Sequence, residues 1–232
     1  MPLTCKKPVA KHVDGHRKRA FNKLLKIGHE NMCDYEMAEL MLFLLIKRKD
    51  VKPLAKTLIN KFHTIDGVLN ASHDDLVSVN EVGEHVFMGI KIISEIIKAS
   101  LKSKLIKRDS IECFDDVVAY CKANMKHLVS EELRILFLDG INKIIADEAI
   151  ATGDIDFIQI SQRDILKKCL ENGAKGMILV HNHASGDPTP SAHDISSTRL
   201  LKKAALAIGI QIVDHIIIGG DRYISFKALN IL

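Results

Sequence analysis

The stretch Met177-Ile178-Leu179-Val180-His181-Asn182-His183 does most to limit what this chain can become. Four apolar residues ahead of the histidines are too few for a helix of their own and read as a buried strand. Strand side chains alternate faces, so His181 and His183 point one way and Asn182 the other. Two imidazoles on one face, at a strand end, can close on a single metal ion. The chain then passes through Ser185-Gly186-Asp187-Pro188-Thr189-Pro190, a loop dense in turn formers. It reaches Ser191 and Asp194 at the start of an apolar-periodic helix carrying Ile195, Leu200, Leu201, Ala204 and Ile208. Two histidines and one carboxylate are a catalytic zinc set, with a fourth position left for water. Ser191 and Asp194 also have the spacing of a capping box, in which the carboxylate reaches back to the serine amide, and the two roles can coexist. The literal string His-Asn-His is not evidence for an HNH nuclease, whose signature residues come from separate elements.

The full pattern is H-x-H, seven residues, S, two residues, D. It resembles the metal-binding signature of the JAMM (MPN-domain) metalloprotease family. The strings VHNHASGDPTPSAHD, VDHIIIGG (213–220) and YISF (223–226) are similar to the RadC-type branch of that family, from about Glu131 onward. The resemblance implies an α/β, MPN/JAB-like domain with a cytidine-deaminase-like mixed sheet and flanking helices. It implies one zinc ion per chain on His181, His183 and Asp194, and a metal-activated water that cleaves a peptide or isopeptide bond in a peptide or protein substrate. A glutamate just before the first strand serves such enzymes as general base. Glu131 matches that place, with Glu132 the adjacent alternative, and alternation would send the two in opposite directions. Ser191 would donate to the oxyanion or to the metal water. Asp214 and His215 are candidates for orienting the metal ligands, while Asp187 and His193 stay outside the ligand set. Two departures from the RadC-type pattern are Ala184, in place of a proline, and Gln162-Arg163-Asp164, in place of Pro-Arg-Glu. Two other functions are compatible with the resemblance: a DNA-associated protein, from the DNA-repair label long attached to RadC-type proteins, and a metal-stabilised interaction module without catalysis.

The 232 residues suffice for one large domain or two modest ones, and two are expected: a helical domain over 1–105 and the α/β domain over 110–232. Lys102–Asp109 is the expected linker. Met1–Asp14 reads as polar and mobile, followed by a basic amphipathic helix over His16–Ile27. Asp34 is an N-cap for a helix over Tyr35–Lys47, Pro53 opens the next, and Ser72 caps a short one. A long helix to Ser103 would bury Val86, Ile90, Ile93, Ile96 and Ile97. This succession is similar to the helix-hairpin-helix-related N-terminal domain of RadC-type proteins. Such hairpins use two glycines to approach a DNA phosphate, yet here Gly83 fills the second place and Glu81 the first, which is poor for phosphate contact.

Further on, a helix begins at Asp115 or Asp116, a hairpin joins 131–139 to 143–150, Ser161 caps a helix ended by Gly173, and two last strands follow. Residues 1–108 carry a net charge of +8 and residues 109–232 one of −4. A basic front half suits an acidic partner, nucleic acid among the candidates. No apolar run approaches the ~20 residues that span a bilayer, and no signal-peptide core follows the N-terminal charges. Five cysteines without C-x-x-C spacing read as reduced thiols in a cytoplasmic protein. The oligomeric state is left open.

Overall fold

Short amphipathic segments separated by capping residues make the described residues of the N-terminal part helical. The computed structural model describes residues 11–47, 49–106, 114–153 and 161–232, and the chain divides into units 1–96 and 97–232. In the first unit α1 (Lys11–Ile27) starts inside the stretch expected to be mobile; residues 1–10 lie outside the described residues. Next come α2 (Asp34–Leu45), α3 (Lys52–Phe62), α4 (Ile65–Asn70) and α5 (His73–Val77). Cys33, not Asp34, is the N-cap of α2, and the Asp34 carboxylate instead accepts the Ile65 amide of α4 at 2.9 Å. α4 is a helix that the sequence does not lead one to expect, and Thr64 caps its first turn by accepting the Gly67 amide at 2.9 Å. Pro53 lies in the first turn of α3 and Ser72 caps α5, as expected.

The helix α6 (Glu84–Ile106) runs through the boundary between the units, so the expected linker is helical as far as Ile106, and 107–113 lie outside the described residues. Val86 and Ile90 are buried in the first unit's core, but Ile96 is 61% and Ile97 42% exposed. The helix outruns that core, and further along Leu101 and Leu105 join the core of the second unit. Glu81 adopts φ +76°, the left-handed region that glycine occupies without strain, and its carboxylate pairs with Lys49 at 2.9 Å.

Among the described residues the second unit is built on one five-stranded sheet. In chain order its strands are β1 (Glu131–Leu138), β2 (Ile144–Gly153), β3 (Gly176–Asn182), β4 (Gln211–Gly219) and β5 (Arg222–Ser225). Their spatial order is β2-β1-β3-β4-β5. Only β3 and β4 are parallel; the other neighbours are antiparallel. The β1–β2 turn is long because the Asp139 carboxylate holds it open, accepting the amides of Ile141 and Lys143. Joining parallel strands requires a crossover, and α9 (Ala192–Ala207) makes it between β3 and β4.

Period-two patterning gives the sheet two apolar faces. Leu133, Ile135, Phe137 and Leu179 face α8 (Gln162–Glu171) and α9, meeting Ile165 and Leu201. Leu136, Ile178 and Ile216 face α7 (Phe114–Met125) and the end of α6. Every residue of β3 is buried, as a central strand covered on both faces must be. Cys121 and Cys169 are buried and unpaired, and burial pushes their thiols up to about 12 and about 11, which makes both poor nucleophiles. Among the described residues no helix is long and apolar enough to cross a membrane.

Candidate metal centre

The register of the central strands decides which side chains meet. Leu133 pairs with His181 across β1 and β3, and paired residues share a face. His181 therefore lies on the α8–α9 face, and Glu131, two residues before Leu133, lies on that face too. Glu131 is half-buried, and its charge is among those that raise the His183 pKa. Glu132 is on the opposite face, where its carboxylate accepts the Arg134 Nε at 3.0 Å.

At the C-terminal end of β3 the chain turns, and α9 starts by bringing Asp194 back over the histidines. Nε2 of His181 and Nε2 of His183 are 3.0 Å apart. Asp194 Oδ1 is 3.6 Å from the first and Oδ2 is 3.7 Å from the second. A tetrahedral centre with ligand bonds of about 2.0–2.1 Å spaces its ligand atoms roughly 3.3 Å apart, and the three spacings bracket that value. The three residues together could hold a metal ion.

Hydrogen-bond accounting supports a cation at this place. The Asp187 carbonyl lies 2.7 Å from His183 Nδ1 and can only accept, so Nδ1 carries the hydrogen and Nε2 of the neutral ring is a lone pair. That lone pair faces the Asp194 carboxylate and the second imidazole. Acceptors at such spacings repel unless a proton or a metal lies among them. The pKa values point the same way. Hydrogen bonding to Asp194 raises the His183 pKa above its ordinary value, against desolvation. Burial pulls His181 down to about 4, which leaves its ring neutral. Burial alone would raise Asp194, but hydrogen bonding with His183 and Ser191 and the nearby His181 outweigh it, and the carboxyl is held well below the usual carboxylate range.

The Ser191–Asp194 capping box is formed, and the same Asp194 belongs to the group that could hold a metal. The Ser191 amide and hydroxyl donate to Asp194 Oδ2 at 2.8 and 2.7 Å, and the Asp194 amide donates to the Ser191 hydroxyl at 3.0 Å. With Oδ2 so occupied, Oδ1 is the oxygen better placed as a ligand. Gly219, ending β4, admits the loop that holds His183. A Cβ there would come within 2.4 Å of Pro188 N and 2.8 Å of the Asp187 carbonyl carbon.

Of the two residues expected to orient the ligands, His215 reaches one of the histidines and the Asp214 carboxylate is engaged elsewhere. His215 Nε2 shares a hydrogen bond with His181 Nδ1 at 2.8 Å. The Asp214 carboxylate instead accepts Ser225 Oγ and the Lys227 amide, tying β4 to the turn after β5. His193 meets Ser197 at 3.2 Å, and the Asp187 side chain meets Thr189 at 2.9 Å, so both stay outside the ligand set.

Two further residues escaped the sequence reading. Thr198 bonds both the Asp194 carbonyl and His215 Nδ1, and its place four residues after Asp194 was the available signal. Asn182 points away from the metal ligands, yet its amide group accepts the Glu132 amide at 2.8 Å and donates to the Ser130 carbonyl at 3.1 Å. It thereby grips the backbone on both sides of Glu131. Nothing local in the sequence indicates that contact across fifty residues.

The family model described as the RadC-like JAB domain matches residues 111–231. The match begins some twenty residues before Glu131, so α7 as well as the sheet belongs to the domain. Those residues are just over half of the 232, and they contain every side chain of the centre just described. The chain belongs to the RadC-like JAB domain family.

Proposed function

We propose that this chain hydrolyses amide or isopeptide bonds in a peptide or protein substrate, with zinc held by His181, His183 and Asp194. The convergence of three ligand atoms beside a glutamate on the same sheet face is the observation that carries this reading. A zinc ion bound there would polarise the scissile carbonyl and lower the pKa of a bound water to about 7. Glu131 takes the proton that this water loses and returns it to the leaving amine. Asn182 fixes the backbone from which Glu131 projects. The Ser191 hydroxyl, donated to Asp194 Oδ2 at rest, shifts to the substrate oxygen as negative charge builds there.

The test is turnover on peptide and isopeptide libraries by zinc-loaded protein and four variants. His183→Ala should lose both zinc and activity. Glu131→Gln should keep zinc and lose roughly 10²–10⁴-fold in rate, the usual contribution of a general base. Glu132→Gln should stay near the parent in rate, and Ser191→Ala should fall between these limits. A zinc-loaded parent no more active than His183→Ala on every library would overturn the reading.

The +8 charge of residues 1–108 supports a second reading, in which this part brings the chain to nucleic acid. Duplex binding by the full chain should then weaken steeply with salt. Binding independent of salt, or none, would remove it.

A further inference from the structure

We infer that Thr198 and His215 are positioning residues that fix the tautomer of His181, holding its Nε2 lone pair in the metal centre before any metal arrives. The inference rests on the metal reading of the site and adds to it two residues outside the ligand set.

The direction of each hydrogen follows from one atom, the main-chain carbonyl of Asp194, which can only accept. Thr198 Oγ1 lies 2.6 Å from it, a separation two oxygens tolerate only with a hydrogen between them, so the threonine hydroxyl donates there. Its single hydrogen is then committed. His215 Nδ1, 2.7 Å from the same Oγ1, must therefore be the donor to it. A neutral His215 with hydrogen on Nδ1 has a bare Nε2. The ring is fully buried, against Phe226 at a centroid separation of 4.4 Å, a setting that favours the neutral form. That bare Nε2, 2.8 Å from His181 Nδ1, accepts a hydrogen from it. Nδ1 of His181 is thereby the protonated nitrogen, and Nε2 is the lone pair 3.6 Å from Asp194 Oδ1.

The relay closes on itself in the chain. Asp194 gives its carboxylate to the metal set and its carbonyl to the hydroxyl that orients His181 through His215. One turn of α9, from Asp194 to Thr198, thus sets a ligand and the tautomer of another. His183 reaches the same state independently, through the Asp187 carbonyl.

The experiment has two readouts on the full chain. Two-bond proton–nitrogen correlation spectra of the metal-free protein should show His181 and His215 both protonated on Nδ1. In Thr198→Val, which keeps the side-chain shape without the hydroxyl, His215 should populate the Nε2–H form and push hydrogen onto His181 Nε2. Zinc affinity, by competition with a chromophoric chelator, should fall about 10- to 100-fold in that variant, the range for lost outer partners of a ligand. Thr198→Ser should restore both readouts. An Nε2–H tautomer of His181 in the metal-free parent overturns the relay, whether or not the variants fold. Zinc bound equally by the parent and Thr198→Val overturns it as well. Failure of the parent to bind zinc, with the tautomers as stated, overturns the metal reading instead.

Discussion

Two groups of polar side chains sit on opposite faces of the same strands, and they are balanced differently. On the α7 face, Asp147 accepts Arg134 Nη1 at 2.6 Å, Lys102 Nζ at 3.1 Å and the Tyr120 hydroxyl, while Glu132 pairs with Arg134. Two carboxylates meet two cations there, and the Asp147 carboxyl is held below its ordinary value by Tyr120 and Arg134 in spite of burial. On the α8–α9 face, the carboxylates of Glu131 and Asp194 accompany two imidazoles whose Nε2 atoms lie 3.0 Å apart. The first group neutralises itself and holds α7 and the end of α6 to the hairpin. The second is rich in lone pairs and gains most from a cation. Charge inside a protein is thus not by itself a functional sign; ligand atoms converging on one point are.

Substitutions that separate the two faces sharpen this contrast. The largest effect on folding is expected from Arg134→Met, which strips a partner from Asp147, a carboxylate whose side chain is 3% exposed. Breaking a buried pair from one side costs about 3–5 kcal/mol. Urea titration should report that loss, while the folded fraction still binds one zinc; a loss below about 1 kcal/mol would mean the cluster is not structural.

Asn182→Ala comes next. It leaves the Glu132 amide and the Ser130 carbonyl without their partner, at about 1–3 kcal/mol, and should lower turnover without altering zinc affinity, since Asn182 faces away from the ligands. An unchanged rate would separate Asn182 from Glu131.

Gly219→Ala forces the 187–188 backbone away from β4 and so loosens the carbonyl that orients His183. Zinc affinity should drop by about tenfold, the lower end for an outer partner, and equal affinity would show that the loop moves without cost.

The effect of pH acts through His183 itself. His183 has a raised pKa, so it stabilises the metal-free protein fully below about pH 6.5, the unfolded value, and that contribution is lost as pH rises through the folded one. Zinc needs the neutral ring, so its affinity should fall about tenfold per pH unit below the His183 pKa, one proton being displaced per ion. The rise in Tm on adding zinc should therefore be larger at about pH 8 than at about pH 6. A rise independent of pH would place the ion elsewhere.

Much of the centre was legible in the sequence because it is local. His181 and His183 alternate on one strand, and Ser191 and Asp194 share one helical turn. The β1 hairpin and the crossover helix announced themselves by periodicity and by turn residues. What stayed hidden depends on which strands become neighbours. The pairing of Leu133 with His181 is what puts Glu131 rather than Glu132 on the metal face, and no feature between residues 133 and 181 states that register. The reach of Asn182 back to Ser130 has the same origin. In the helical unit α4 had no expected counterpart, the α2 cap fell on Cys33, and the long helix differed in extent. An apolar stripe on α6 predicts burial of Ile96 and Ile97, but periodicity does not tell where the partner surface stops.

Metal content of protein purified without added metal, measured by mass spectrometry beside the double variant His181→Ala, His183→Ala, bears most directly on the electron-rich face. About one zinc per chain in the parent, absent from the variant, is the expected result. A well-folded parent that carries no metal, and takes up none when zinc is supplied, would contradict the reading of this face as a metal centre.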